Sequence, residues 1–139
     1  MQISSSNNID VVDSSFIGSL AFGVNVWSAS DVTFDGIFVA DVQSRDWTAL
    51  DQEVDYEACV AFCSFGQCST TSIVNSVAAG CQYAGFVAPG HDCFDTSSTK
   101  FKDNTAHSID GVGAFIYPDE NEPDHGTCYE GSHFTAYKC

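Results

Sequence analysis

A short phrase that occurs twice in the second half of this chain constrains its fold. Asn75-Ser-Val-Ala-Ala-Gly80 runs into Tyr83-Ala-Gly-Phe-Val87, and Asp103-Asn-Thr-Ala-His-Ser108 runs into Val112-Gly-Ala-Phe-Ile116. In this alignment Asn75 matches Asp103 and Phe86 matches Phe115. Self-similarity at a period of about 20 to 30 residues, in segments rich in β-branched and aromatic residues, is typical of stacked strand-bearing turns. The sequence therefore predicts an all-β fold, a right-handed parallel β-helix (solenoid).

The first 42 residues carry fainter copies of the same pattern. Residues 19–27 resemble the repeated phrase, residues 8–11 align with residues 31–34, and Phe16 aligns with Phe38. The short runs between Ser, Asp, Gly and Asn turns alternate apolar and polar residues, which predicts strands. We predict that residues 1–139 form one β-helix segment, a fragment of a larger protein.

Residues 43–70 break this rhythm. Their central part carries charge, lacks Gly and Pro, and places four apolar residues on one i, i+4 row. These are Leu50, Val54, Ala58 and Phe62. The pattern predicts an inserted loop with a short helix over residues 51–64, which would be pinned by Cys59, Cys63 and Cys68.

The charge of the chain excludes two classes of partner. It has 4 basic and 19 acidic residues and a net charge of −15. Such a surface repels nucleic-acid phosphates and anionic lipid head groups, so we expect binding neither to nucleic acid nor to a membrane surface. No run of about 18 apolar residues exists, so we also expect no membrane insertion. Cations, cationic partners and neutral glycans remain. The amino terminus lacks the basic and apolar regions of a secretion signal, which we therefore expect outside this sequence.

The chain contains seven cysteines, which suggests an oxidising, extracellular compartment. An odd number leaves at least one unpaired, and the spacing alone leaves the pairing open. We expect local bridges, with Cys81 to Cys93 closing the turn at residues 88–92. The disulfide candidates are Cys59, Cys63, Cys68, Cys81, Cys93, Cys128 and Cys139.

The second half of the chain resembles a known family. Residues 81–93, residues 103–114 and residues 128–138 are similar to the parallel β-helix region of fibrocystin (polyductin) and the fibrocystin-like surface proteins. More distantly, the Asn-x-Ala-His-Ser phrase is similar to extracellular hyaluronidases with such a β-helix. The resemblance implies a fragment of a large secreted or single-span protein of the cell coat, often ciliary or flagellar. The other extracellular modules of that family are absent from this sequence.

Histidines and cysteines offer few candidates for chemistry. His91, Cys93 and His107 are the best candidates for a metal site, but extracellular cysteines favour disulfides over thiolate ligands. We predict that His107 packs or hydrogen-bonds within the stack, because Ala79 holds the equivalent place in the preceding copy. No serine lies in a Gly-x-Ser-x-Gly elbow, so the sequence does not support acyl transfer.

One acidic loop is a candidate calcium site. Its carboxylates are Asp119, Glu120, Glu122 and Asp124. Hard oxygen ligands suit Ca²⁺ at extracellular concentrations, although the spacing is not that of an EF-hand. The alternative interpretation is a solvated acidic loop.

These observations predict a non-enzymatic extracellular module, structural or adhesive, at a cell surface, on a cilium or in a filament. The alternative is a carbohydrate-active β-helix that binds polysaccharide or cleaves it as hyaluronidases do. Partners would be other copies, flanking modules or glycans, because stacked coils leave open strand edges at both ends. Phe86 and Phe115 are predicted to point inward on adjacent coils.

Overall fold

The computed structural model describes residues 1–27, 29–43, 57–62, 71–89, 91–92, 101–117 and 129–139. Every regular element in these ranges is a β-strand, so the prediction of an all-β chain is confirmed. No helix in this part of the chain is long and apolar enough to cross a membrane. The strands are β1 (Gln2–Ser4), β2 (Asn7–Val12), β3 (Ser15–Leu20), β4 (Phe22–Trp27), β5 (Ser30–Asp35), β6 (Phe38–Gln43), β7 (Ala58–Phe62), β8 (Ser72–Val74), β9 (Val77–Cys81), β10 (Ala84–Pro89), β11 (His91–Asp92), β12 (Phe101–Lys102), β13 (Thr105–His107), β14 (Val112–Tyr117), β15 (Tyr129–Glu130) and β16 (Thr135–Tyr137).

Three parallel sheets contain most of these strands. Sheet 1 has the order β1-β4-β7-β10-β14, sheet 2 has β2-β5-β8-β12, and sheet 3 has β3-β6-β9-β13-β16. The remaining pair, β11 and β15, is antiparallel. Along the chain, the strands enter sheets 1, 2 and 3 in turn and then return to sheet 1. We call each such circuit a pass.

There are five passes in the described chain. The first consists of β1, β2 and β3, the second of β4, β5 and β6, the third of β7, β8 and β9, and the fourth of β10, β12 and β13. The last pass contains two strands, β14 in sheet 1 and β16 in sheet 3. Between them, Ser132 alone forms a parallel bridge to Lys102 beside sheet 2. Because every pass pairs with its neighbours in parallel, each residue faces its equivalent one pass away.

The register confirms two of the four predicted alignments. Ile9 pairs with Val32, and Ala78 pairs with Ala106, as the repeated phrases indicated. Phe16 pairs with Val39, one residue beyond the predicted partner Phe38. Equivalent residues therefore do form columns across the passes.

The predicted alignment of Phe86 with Phe115 in sheet 1 is wrong. Phe86 pairs with Ala114, one residue before Phe115, and Phe115 pairs with Val87. Side chains alternate between the two faces of a strand, so a shift of one residue reverses the face. Phe86 accordingly points inward and is fully buried, whereas Phe115 is 38% exposed and stacks on Tyr83 with 6.2 Å between ring centroids.

Inward columns of apolar side chains form one core between the three sheets. Among its members with no more than 1% exposure are Val24, Val26, Val32, Phe34, Ile37, Val39, Val60, Ile73, Ala78, Phe86, Phe101 and Ala106. Each sits above or below an equivalent residue of the next pass. Transfer of this apolar surface from water is the main stabilising term for such a stack.

Left-handed residues line up at two corners. The column between sheets 2 and 3 consists of Asp13, Gly36, Asn75, Asp103 and His133, with φ between 47° and 68°. The column at the end of sheet 3 consists of Gly18, Asp41, Gly80, Ser108 and Lys138, with φ between 54° and 71°. Gly, Asn, Asp and His tolerate this conformation better than most residues. The polar residues of the sequence repeats are thus where the backbone turns sharply.

A buried polar network lies beside the first of these corners. The fully buried Asn104 donates from Nδ2 to the Ile73 carbonyl at 2.9 Å, and its Oδ1 accepts from the Ser76 N–H at 2.9 Å. Ser76 Oγ donates to the Val74 carbonyl at 2.7 Å and accepts from the Ile37 N–H at 3.2 Å. The network links three successive passes and satisfies backbone groups of the second and third, which would otherwise be costly to bury.

The predicted helix is wrong where the structure describes it. Residues 58–62 form β7, which pairs in parallel with β4 on one side and β10 on the other. Residues 57–61 are all buried, so neither face of this strand shows the exposed positions that reveal a period of two. A short apolar run buried on both faces fits a helix or a strand equally well. The remainder of residues 43–70, apart from Gln43 and Glu57, lies outside the described residues.

Sheet 1 approaches sheet 3 closely along a row of small residues. The row in sheet 1 contains Gly23, Cys59, Gly85 and Gly113, and it faces Val39, Ala78, Ala106 and Ala136 of sheet 3. A Cβ built on Gly85 would lie 2.5 Å from the Gly113 carbonyl oxygen and 3.0 Å from Ala106 Cβ. Glycine is required here for space rather than for a left-handed conformation.

Replacing Gly85 by Ala is expected to lower the free energy of unfolding by about 1 to 3 kcal/mol through overpacking against backbone. Urea denaturation measures this. Gly18→Asn is the matched control, because its Cβ would lie 4.0 Å from the nearest atom, Asp41 Oδ2, and Asn tolerates φ of 71°. Equal stability losses for the two variants would contradict the close approach of the sheets.

Candidate functional site

A disulfide joins two sheets within the third pass. Cys59 in β7 is bonded to Cys81 at the end of β9, with 5.8 Å between their Cα atoms. Both cysteines are buried. A link that closes a loop of this length stabilises a fold by about 3 kcal/mol in the chain-entropy model. The disulfide therefore links sheet 1 to sheet 3 at the row of small residues, of which Cys59 is a member.

This bond corrects two predicted pairings. Cys81 is not bonded to Cys93, and Cys59 does not fasten a helix. The sequence favoured nearby cysteines, whereas one circuit of the chain brings Cys59 and Cys81, 22 positions apart, together where sheet 1 approaches sheet 3. Cys139 is unpaired and exposed. The other candidates, Cys63, Cys68, Cys93 and Cys128, lie outside the described residues.

The candidate calcium ligands Asp119, Glu120, Glu122 and Asp124 also lie outside the described residues, so calcium binding stays a prediction. Within the ranges that are described, no three His, Cys, Asp or Glu side chains come together in a group that could hold a metal ion.

His91 and His107 occupy different sheets. His91 begins the antiparallel strand β11, whereas His107 ends β13 in sheet 3 and pairs with Ala79 as the sequence predicted. The His107 ring stacks on Tyr137 of the next pass, with 5.1 Å between centroids and 11° between planes. Its Nδ1 lies 3.4 Å from Ser108 Oγ. The prediction that His107 packs within the stack is confirmed, and it does so on the outer face of sheet 3.

A shallow recess lies where the chain passes from sheet 3 to sheet 1. It is lined by Ala21, Val42, Gln43, Glu57, Ala58, Cys81, Gln82 and Tyr83. Among the described residues of this lining, Glu57 is the single carboxylate, and it is buried. Glycoside hydrolysis ordinarily uses a pair of carboxyl groups across the scissile bond. The composition of this recess does not supply that pair.

Exposed apolar side chains instead concentrate at the two ends of the stack. In the first pass, Met1, Val12, Ile17 and Leu20 are 46 to 69% exposed. In the last pass, Val112, Phe115 and Tyr137 are 38 to 48% exposed. Trp27 and Tyr83 are the only other large hydrophobic residues in this class among the described residues. Most of the exposed large apolar side chains among the described residues therefore lie in the two end passes, spread over two sheets at each end.

Sequence reasoning did not predict which apolar side chains would be exposed in the first and last passes. The exposure of Ile17 and Tyr137 follows from register, since both lie in the outward column Ile17, Ala40, Ala79, His107, Tyr137. The members with strands on both sides are small or half-buried, and the two bulky members are terminal. Only an alignment of all five passes would have revealed this arrangement.

Comparison with protein-family models, with curated proteins and with solved structures found no match.

Proposed function

We propose that this chain is a segment of a right-handed parallel β-helix that serves as a rigid, non-enzymatic structural or adhesive module outside the cell. One observation carries the proposal: the inward columns continue through five passes of three parallel sheets. A stack with this many lateral backbone bonds resists bending, which suits a spacer or a load-bearing element.

The disulfide and the surface charge support an extracellular location. Cys59–Cys81 is a bridge between sheets, and such bonds persist in oxidising compartments. A net charge of −15 favours solubility and disfavours anionic polymers. Both features suit the fibrocystin-like cell-surface proteins that the second half of the sequence resembles, so we place the module at a cell surface, a cilium or a filament.

The rival function is polysaccharide cleavage, and a turnover assay separates the two. The full chain would be incubated with hyaluronan, chondroitin and a neutral β-glucan, and new reducing ends would be counted. We expect none above the level of heat-denatured protein. Turnover that disappears in Glu57→Gln, while the fold is retained by circular dichroism, would overturn the non-enzymatic assignment.

A further inference from the structure

The contact between sheets 1 and 3 leaves almost no space for side chains on either side of Cys59. In the pass before it, a Cβ built on Gly23 would overlap Val39 Cγ1 and would lie 2.9 Å from the Cys59 carbonyl oxygen. In the pass after it, a Cβ built on Gly85 would lie 3.0 Å from Ala106 Cβ. Cys59 is the one member of the row of small residues that carries a side chain. Its sulfur atom therefore needs a special accommodation.

The covalent bond to Cys81 provides that accommodation. The Cα atoms of the two cysteines are 5.8 Å apart, and both residues are buried. A disulfide holds two sulfur atoms much closer than the roughly 3.5 to 4 Å that non-bonded heavy atoms need. Two separate thiols at these positions would therefore require more space than the bonded pair.

The sulfur atoms also contact the backbone of sheet 3. Cys59 Sγ lies 3.4 Å from the Val39 carbonyl oxygen and 3.8 Å from the Ala79 carbonyl oxygen. Cys81 Sγ lies 3.4 Å from the same oxygen of Ala79. Both oxygens belong to strands that are paired on both sides, β6 and β9. Separation of the two sulfur atoms after reduction therefore pushes sheet 1 away from sheet 3.

We propose that the Cys59–Cys81 disulfide is a redox switch, whose reduction opens the contact between sheets 1 and 3 in the third pass. The closed form of this contact then belongs to the oxidised protein alone. The inference goes beyond the proposed function, because it depends on how closely the two sheets approach and not on what the module binds.

A dithiol reductant brings about the change in two exchange steps. Its first thiolate attacks one sulfur atom of the bridge, forms a mixed disulfide and releases the other cysteine as a thiolate, which takes up a proton. Its second thiolate attacks the mixed disulfide, closes the oxidised ring of the reductant and releases the second cysteine, which is protonated in turn. Two electrons and two protons thus pass from the dithiol to Cys59 and Cys81.

Two backbone hydrogen bonds next to the cysteines can report the opening. The Ala58 N–H donates to the Ala21 carbonyl at 3.1 Å, and the Gln82 N–H donates to the Val42 carbonyl at 3.1 Å. Ala58 directly precedes Cys59, and Gln82 directly follows Cys81. Amide hydrogen exchange measures local opening of such bonds. Displacement of the two cysteines should therefore accelerate exchange at these two amides.

Hydrogen exchange of the reduced parent and of Cys59→Ala/Cys81→Ala, both in excess dithiothreitol, tests the proposal. A Cys139→Ser background removes the exposed thiol from both proteins. Neither protein then has the cross-link, so its effect on the unfolded chain cannot separate them. They differ in the two sulfur atoms alone. The Ala58 and Gln82 amides should exchange about tenfold faster, or more, in the reduced parent, because only its thiols are overpacked.

Three controls restrict the result to this contact. Alkylation and peptide mapping verify that Cys59 and Cys81 are reduced in the parent. The double variant with and without dithiothreitol measures the effect of reductant on all other cysteines. The Asn75 N–H, which donates to the Lys102 carbonyl at 3.1 Å at the corner between sheets 2 and 3 of the same pass, should exchange equally in both reduced proteins.

Cys81→Ala alone keeps the comparison valid if the double variant does not fold. It retains the Cys59 thiol but removes the second sulfur atom, so it should exchange as slowly as the double variant. Two outcomes would overturn the proposal: exchange at Ala58 and Gln82 that is no faster in the reduced parent than in either variant, or acceleration that extends equally to Asn75. Neither outcome bears on glycan turnover, so this proposal and the proposed function can fail independently.

Discussion

Phe86→Ala is expected to lower the free energy of unfolding by about 3 to 5 kcal/mol, through lost burial and the cavity that remains. Phe86 is fully buried in the fourth pass. Its ring lies edge-on to Phe101, with 5.4 Å between centroids, and edge-on to Phe134 at 6.3 Å. The three rings fill the interior between the last two passes, so truncating Phe86 removes contacts with both others.

Phe115→Ala provides the matched control, because the same side chain is removed one register step away on the opposite face. Phe115 is 38% exposed and stacks on Tyr83. We expect a loss of about 1 kcal/mol or less. Chemical denaturation of both variants measures the difference. Equal losses would mean that Phe86 and Phe115 occupy equivalent inward positions, as the matching phrases implied, and that the register described above is wrong.

Asn104→Ala is expected to lower the free energy of unfolding by on the order of 4 kcal/mol, because the change leaves the Ser76 N–H and the Ile73 carbonyl without their side-chain partner. Each such buried group costs about 1 to 3 kcal/mol. Asn104 itself has no exposed surface, so a cavity is added. Urea denaturation monitored by circular dichroism measures the loss.

Two companion variants make this test specific to the network. Asn104→Asp keeps an acceptor for Ser76 but sets a carboxylate oxygen against the Ile73 carbonyl, so it should not restore stability. Asn7→Ala removes an exposed amide whose Oδ1 accepts from Ser30 Oγ, and it should cost less than about 1 kcal/mol. A similar loss in Asn7→Ala and Asn104→Ala would contradict a special role for the buried corner.

The repeated phrases predicted the parallel pairing and two of the four alignments, because residues in a repeat record the same physical constraint. Residues at equivalent positions pack on one another, so Ala78 and Ala106 had to be small together, and polar residues had to recur where the backbone turns left-handed. Such periodicity is visible in a single sequence. The predicted alignment in sheet 1 is wrong because Phe86 and Phe115 match by residue type. A sequence alignment does not register that a shift of one residue moves a side chain to the other face of the strand.

Other features depend on contacts between distant residues and leave little local signal. The strand at 58–62 resembled a helix, since a run buried on both faces has no informative period. The Cys59–Cys81 pairing follows from the way sheets 1 and 3 face each other, which spacing along the chain does not encode. One weak indication of the role of Asn104 is present in the sequence, because this residue occupies the place of Ser76 in the preceding copy, immediately after the turn residue.

The connection between sheets 2 and 3 differs from the connection between sheets 1 and 2 in the number of residues it contains. Two residues connect the strands there in each of the first four passes, at 13–14, 36–37, 75–76 and 103–104. From sheet 1 to sheet 2 the connection is also two residues long in the first two passes, 5–6 and 28–29, but later it spans 63–71, 90–100 and 118–131. The stems of the last two connections pair with each other through β11 and β15.

This asymmetry has an evolutionary consequence. A mutation that lengthens the chain after a strand of sheet 1 leaves every column in register, because the next pass restarts at its own left-handed corner. The same insertion between sheets 2 and 3 would displace Asn104, Ser76 or their equivalents from the buried network. Descendants of this sequence can therefore vary in length after sheet 1, and also between sheets 3 and 1, where residues 44–57 separate β6 from β7, while the connection between sheets 2 and 3 keeps its length. Selection for new binding properties would act mainly on those variable connections.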